Sequence, residues 1–109
     1  NKSVMLRRGN PDGLLIRLPV TPGEEWRASV LRRSLRQSGA LVVSSNGENG
    51  LYGHRRLGPE AANSNKWDSL YLTVVIPEGS NELVVYARNN SFLPAWFDNM
   101  TIEKRIQEQ

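Results

Sequence analysis

Apolar and polar residues alternate along most of this chain, and glycine, proline and asparagine break the alternation at short intervals. A period of two is that of a strand with one buried face, because successive side chains on a pleated backbone point to opposite sides. The clearest run is 67–76, in which Leu70, Leu72, Val74 and Ile76 share one face and Tyr71, Thr73 and Val75 the other. Pro77-Glu78-Gly79-Ser80 then predicts a turn: proline stops the ladder and glycine takes the positive φ. A second strand follows over 83–88, Asn89-Asn90-Ser91 ends it, and a third runs over 96–103. Upstream turn signals fall at Gly9-Asn10-Pro11-Asp12-Gly13, Thr21-Pro22-Gly23, Gln37-Ser38-Gly39, Asn46-Gly47-Glu48-Asn49-Gly50 and Gly58-Pro59. They separate five more candidate strands, at 4–7, 14–19, 26–33, 40–45 and 51–56.

Turns at that spacing indicate many short strands, and no window sustains a helical period. Glu60-Ala61-Ala62 suits one helical turn and 103–109 a frayed tail, while 58–66 reads as an exposed loop. About eight strands is the number for an all-β, two-sheet antiparallel β-sandwich, the jelly roll. Alternation also assigns faces. Trp26, Ala28 and Val30 point inward with Leu83, Val85, Ala87, Leu70 and Leu72. Arg27, Ser29, Leu31, Arg33, Val84, Tyr86, Arg88, Tyr71 and Thr73 point outward. Phe97, Met100 and Ile102 cannot share a face by strict alternation, which predicts a bulge near Asp98-Asn99 and puts Trp96 opposite Phe97.

A chain of 109 residues is the size of one domain, residues 1–109, with a single two-layer core. No apolar run is long enough to cross a bilayer, so membrane insertion is not expected. Cysteine is absent, which removes disulfides, a thiol nucleophile and a thiolate metal site. The net charge of +3 rests on three lysines and eleven arginines, crowded early as Arg7-Arg8, Arg27, Arg32-Arg33 and Arg36. Such a surface attracts nucleic acid or acidic polysaccharide, or simply keeps a strand edge soluble. Nucleic acid is the weaker expectation, because no aromatics interleave with the cluster on its strand.

The sequence of a Trp, an alternating strand, Pro-x-Gly, a second strand, Asn and then Phe97-Asp98-Asn99-Met100-Thr101-Ile102 resembles the C-terminal half of carbohydrate-binding-module-like β-sandwiches with the galactose-binding-domain-like fold. Ser3-Val4-Met5-Leu6 is similar to the family's early strand, and Pro22-Gly23-Glu24-Glu25-Trp26 to its turn and following strand. The resemblance spans about 3–104. It implies a non-catalytic module of a larger protein at or outside the cell surface, with a glycan or polysaccharide as ligand and neighbouring domains as further partners. It also implies that Trp67 is a core aromatic, as Trp26 is expected to be. Relatives carry another N-terminal strand, which implies a domain cut from a longer chain. Several hold a structural calcium near the last strand, where Asp98 stands; otherwise no cofactor is expected.

Catalysis finds little support. His54 is the only histidine, there is no nucleophile elbow or phosphate loop, and Glu24, Glu25, Asp68 and Asp98 are ordinary strand-end carboxylates. Sugar binding needs exposed aromatic rings, which stack on pyranose C–H faces, beside planar polar groups that bond hydroxyls. Tyr71, Tyr86, Arg88 and Trp96 meet that description, with Trp96 and Arg88 taken together, and Tyr52 and His54 add to it from one face of their strand. The competing reading makes Tyr71 and Tyr86 a cross-strand pair that only stabilises a sheet. A competing function also stands. Outward Leu31, Val75 and Val84 suit a structural or protein-interaction domain, such as a tail-fibre, toxin or adhesin spacer.

Overall fold

The computed structural model describes residues 4–6, 12–34, 38–56, 67–89 and 93–105. The expectations for Arg7-Arg8, the Gly9–Pro11 part of the first turn, Arg36, the loop at 58–66 with its helical turn, Asn90-Ser91 and the tail after Arg105 lie outside those residues. Among the described residues eight strands form: β1 (Val4–Leu6), β2 (Asp12–Pro19), β3 (Glu25–Ser34), β4 (Ala40–Ser45), β5 (Tyr52–Arg55), β6 (Trp67–Val75), β7 (Glu82–Arg88) and β8 (Ala95–Arg105). Each lies where the alternation put it. They pair antiparallel into two four-stranded sheets, β1-β8-β3-β6 and β2-β7-β4-β5. The fold is the expected all-β sandwich.

Consecutive strands change sheet everywhere except at the β4–β5 hairpin. The inward residues meet between the sheets: Leu6, Ala28, Val30, Leu70, Ala95 and Phe97 from one, Leu41, Val43, Leu83, Val85 and Ala87 from the other. Trp26, Leu72 and Val74 pack against that core from its rim.

Two bulges re-aim side chains. In β8 the register steps from Ser29↔Thr101 to Leu31↔Asp98, one residue more on β8 than on β3. Asn99 takes φ 59 there, the left-handed region that asparagine tolerates, and donates its N–H to Asp98 Oδ1 at 2.8 Å. The bulge expected from Phe97, Met100 and Ile102 is therefore present, and all three reach the core. In β2 a second extra residue falls between Gly13 and Ile16, with Leu14 at φ 55 and Leu15 turned out to solvent.

Arg32 is buried among these apolar side chains at 0% exposure. Composition places it with the solvated arginines, but it shares its parity with Ala28 and Val30, so the pleat drives it inward. Its Nη1 donates to Gly39 O at 3.0 Å and its Nη2 to Asp68 Oδ2 at 3.2 Å. Gly39 sits at φ 93, and a Cβ there would stand 2.6 Å from Phe97 Cζ. Arg32, Gly39, Asp68 and Phe97 thus lock one end of the sandwich together. The Pro77–Ser80 turn closes as expected, with Ser80 N–H on Pro77 O at 3.2 Å and Gly79 at φ 88.

Candidate functional site

Because the inner faces are filled, chemistry is left to the two outer faces. The candidate residues divide between them. Tyr71 on β6 and Trp96 on β8 lie on the outside of the first sheet; Tyr52, His54, Tyr86 and Arg88 lie on the outside of the second. Two sequence expectations fall with that division. Trp96 and Arg88 face opposite ways and form no joint site, and Tyr71 and Tyr86 are not a cross-strand pair. The cause is the crossover topology: β6, β7 and β8 alternate between sheets, so outward residues on neighbouring strands look in opposite directions.

On the second sheet the register assembles a platform. Val42 pairs with Tyr86 on one side and His54 on the other, and Ser44 pairs with Val84 and Tyr52. Tyr52 and His54 are exposed on one face, as their spacing requires, and Tyr52 is 63% exposed. Val42 points the same way and is 2% exposed. Arg88 ties the platform together: its Nη1 donates to the Tyr52 hydroxyl at 3.4 Å, and its guanidinium carbon lies 5.8 Å from the Tyr86 ring centre. Two phenol rings, an imidazole and a guanidinium thus share one patch of rigid sheet. A shallow cavity of about 530 Å³ at the β2–β7 edge, lined by Arg17, Pro19 and Glu82 among others, contains none of these rings.

On the first sheet, Met5, Trp96, Arg33 and Trp67 form one row across β1, β8, β3 and β6. The Arg33 guanidinium carbon stands 4.8 Å from the Trp96 ring centre and 5.7 Å from that of Trp67. Trp67, expected in the core, is 43% exposed. The correction follows from parity: Leu70 and Leu72 point inward, so Trp67 must point outward with Tyr71. Arg33 and Trp67 are the residues that sequence reasoning missed as site candidates. The signal was present in the outward assignment of Arg33 and in the β6 alternation. Further along, Arg27 lies 4.4 Å and Arg55 5.8 Å from the Tyr71 ring centre.

At one end of this sheet four charges form two ion pairs. Lys104 Nζ lies 2.7 Å from Glu24 Oε2, and Arg105 Nε 3.3 Å from Glu25 Oε2. Lys104 is the main reason the Glu24 carboxyl is held below its ordinary value of 4.5; the Thr21 N–H, donating to Oε1 at 2.7 Å, adds to it. A lowered folded value means that this pair favours folding above pH 4.5 and that its contribution fades as pH falls through the folded value. An NMR titration of the Glu24 side chain should give a midpoint below 4.5 in the parent chain and a higher one in Lys104→Met. Equal midpoints would remove Lys104 as the cause.

Asp98 accepts from the Asn99 N–H, and among the described residues no three His, Asp or Glu side chains converge as a metal site would require. Residues 1–3, from the segment that would supply backbone oxygens to the implied calcium, lie outside the described residues. Among the described residues no helix is long and apolar enough to cross a membrane.

Carbohydrate-binding modules of known structure share this two-sheet fold. A CBM4 carbohydrate-binding module superposes with a TM-score of 0.63 at 9% identity, over 84% of this chain and 59% of that one. The CBM22-1-GH10 modules of Clostridium thermocellum xylanase 10B, complexed with xylohexaose, match at 0.57 and 17% identity, over 83% of this chain and 18% of that one. The enzymatically active domain of bacteriophage CBA120 tailspike protein 4 matches at 0.61 and 7% identity, over 94% of this chain and 15% of that one. The chain thus spans less than two thirds of each of these structures. No family model matches it, and no curated protein does.

Proposed function

We propose that this chain is a non-catalytic, galactose-binding-like carbohydrate-binding module of a larger extracellular or surface-associated protein. Its ligand is a neutral glycan, held on the outer face of the second sheet by Tyr52, His54, Tyr86 and Arg88. The observation that carries this reading is the Arg88 bridge from the Tyr86 ring to the Tyr52 hydroxyl. It fixes aromatic faces for stacking beside a planar donor for hydroxyls, before any ligand arrives. The likeness in fold to a CBM4 module and to the CBM22-1-GH10 modules of a xylanase supports the same assignment. The reading requires no cofactor, no nucleic acid and no insertion into a membrane, and leaves neighbouring domains of the parent protein as its other partners.

The test is titration with xylohexaose, soluble xylan and a panel of other neutral polysaccharides. Tyr86→Ala and Arg88→Ala should each weaken binding by about tenfold or more, as truncation of a central contact does. Their melting temperatures should stay close to that of the parent chain. Loss of stability with no glycan bound by the parent would point instead to a structural or protein-docking domain.

A further inference from the structure

Two arginines of the first sheet and Arg55 on β5, the edge strand of the second, stand over aromatic rings of the first sheet without spending their donors. Arg33, Arg27 and Arg55 make no hydrogen bond or ion pair among the described residues, and the Arg33 Nε is buried without a partner. Lys104 and Arg105, at the far end of the same sheet, are both ion-paired. Stacking on aromatic rings restricts a guanidinium to a plane and leaves its edge as the direction for hydrogen bonds. Arg33, with Trp96 and Trp67 both near it, is the most constrained of the three.

We infer that the outer face of the first sheet is a second binding site, for a carboxylate-bearing polysaccharide, in which Arg33 and Arg27 take carboxylates and Trp67 and Tyr71 stack on sugar rings. A planar guanidinium edge matches a planar carboxylate with two parallel hydrogen bonds. Trp67 and Tyr71 present exposed rings on the same strand, four residues apart, so they lie about 13 Å from each other along the sheet. Arg27 and Arg33 are six apart on the adjacent β3, about 20 Å. An extended chain lying along β3 and β6 would pass both rings and both arginines.

The charge pattern selects the class of polymer. Asp98 and Glu103 interleave with the arginines, opposite Leu31 and Arg27 in the register. Fixed carboxylates repel a continuous run of phosphates or sulfates, but they accept hydrogen bonds from hydroxyls. A ligand that mixes carboxylates with hydroxyls suits such a face, and a polyphosphate does not. The choice of a saccharide shares its basis with the function proposed above. The face and the ligand differ, so the two can fail separately.

The experiment titrates the 109-residue chain with polygalacturonate and alginate. Methyl-esterified polygalacturonate, dextran sulfate and oligo(dT) serve as comparisons, and xylohexaose is measured in parallel. Binding to the two polyuronates is expected, with a loss of about tenfold or more in Arg33→Gln. Arg33→Lys should fall nearly as far, because an ammonium cannot offer the fork. Methyl esterification should abolish binding. Trp67→Ala and Arg27→Gln test the site through exposed or half-exposed positions should Arg33→Gln fold poorly.

Failure to bind either polyuronate overturns the inference. So does binding that Arg33→Gln and Trp67→Ala leave unchanged, or equal affinity for dextran sulfate and oligo(dT), which would mark plain electrostatic attraction. A chain that binds polyuronate through Arg33 but no neutral glycan would keep this site and lose the function proposed above.

Discussion

Arg32→Ala should destabilise the fold by about 3–5 kcal/mol, the range for removing one partner from a buried charge pair. The side chain is fully buried, and its loss leaves the Gly39 carbonyl and the half-buried Asp68 carboxylate without their donor. Against the roughly 5–15 kcal/mol that holds a domain together, such a change is severe. Chemical denaturation at neutral pH would measure it. The interaction itself is isolated by adding Asp68→Ala to Arg32→Met. If the pair is coupled, the double variant should lose clearly less than the sum of the single losses. A cost for Arg32→Ala below about 0.5 kcal/mol, typical of surface positions, would mean that the arginine is not held as described.

Phe97→Ala carries the second large effect, again about 3–5 kcal/mol, through the lost transfer of the ring and the cavity left behind. Phe97 is 0% exposed, and its Cζ lies where a Cβ on Gly39 would otherwise point, so glycine and ring occupy one space between them. Phe97→Leu keeps much of that volume and should cost less than half as much. Equal costs for the two variants would show that shape at this position matters little. Denaturant midpoints at unchanged slope would establish that stability, rather than the compactness of the unfolded chain, has moved.

Both predictions concern the inner face, which was the more legible in the sequence. A period of two located every strand to within two residues, and the conflict among Phe97, Met100 and Ile102 exposed the Asn99 bulge. The bulge at Leu14 left no such trace. Leu14, Ile16 and Leu18 alternate as written, and Leu14 and Leu18 still pack against the core with an extra residue inserted, so the pattern reads the same either way.

The outer faces were harder because parity says in or out, but not on which sheet. Tyr71, Tyr86, Arg88 and Trp96 were all correctly assigned outward. Only the crossovers sort them into Trp96 with Tyr71 and Tyr86 with Arg88. Tyr52 and His54 stayed together because they share a strand, and the β4–β5 hairpin keeps that strand beside β4. Arg32 and Trp67 erred for the opposite reason. Composition reads Arg32 as surface and the family resemblance reads Trp67 as core, whereas parity on the pleat sets each the other way.

The account's central claim is that the chain recognises a neutral glycan through the preformed aromatic and arginine groups on the outer face of its second sheet. A glycan-array screen of the 109-residue chain at low and high salt tests it most directly. Stacking and hydroxyl contacts depend little on ionic strength, whereas screened attraction of a basic surface for polyanions falls steeply. The account predicts a neutral glycan bound equally at both salt concentrations and lost in the Tyr86→Ala/Arg88→Ala double variant. An array with no neutral ligand, and with only signals that vanish at high salt, would contradict it.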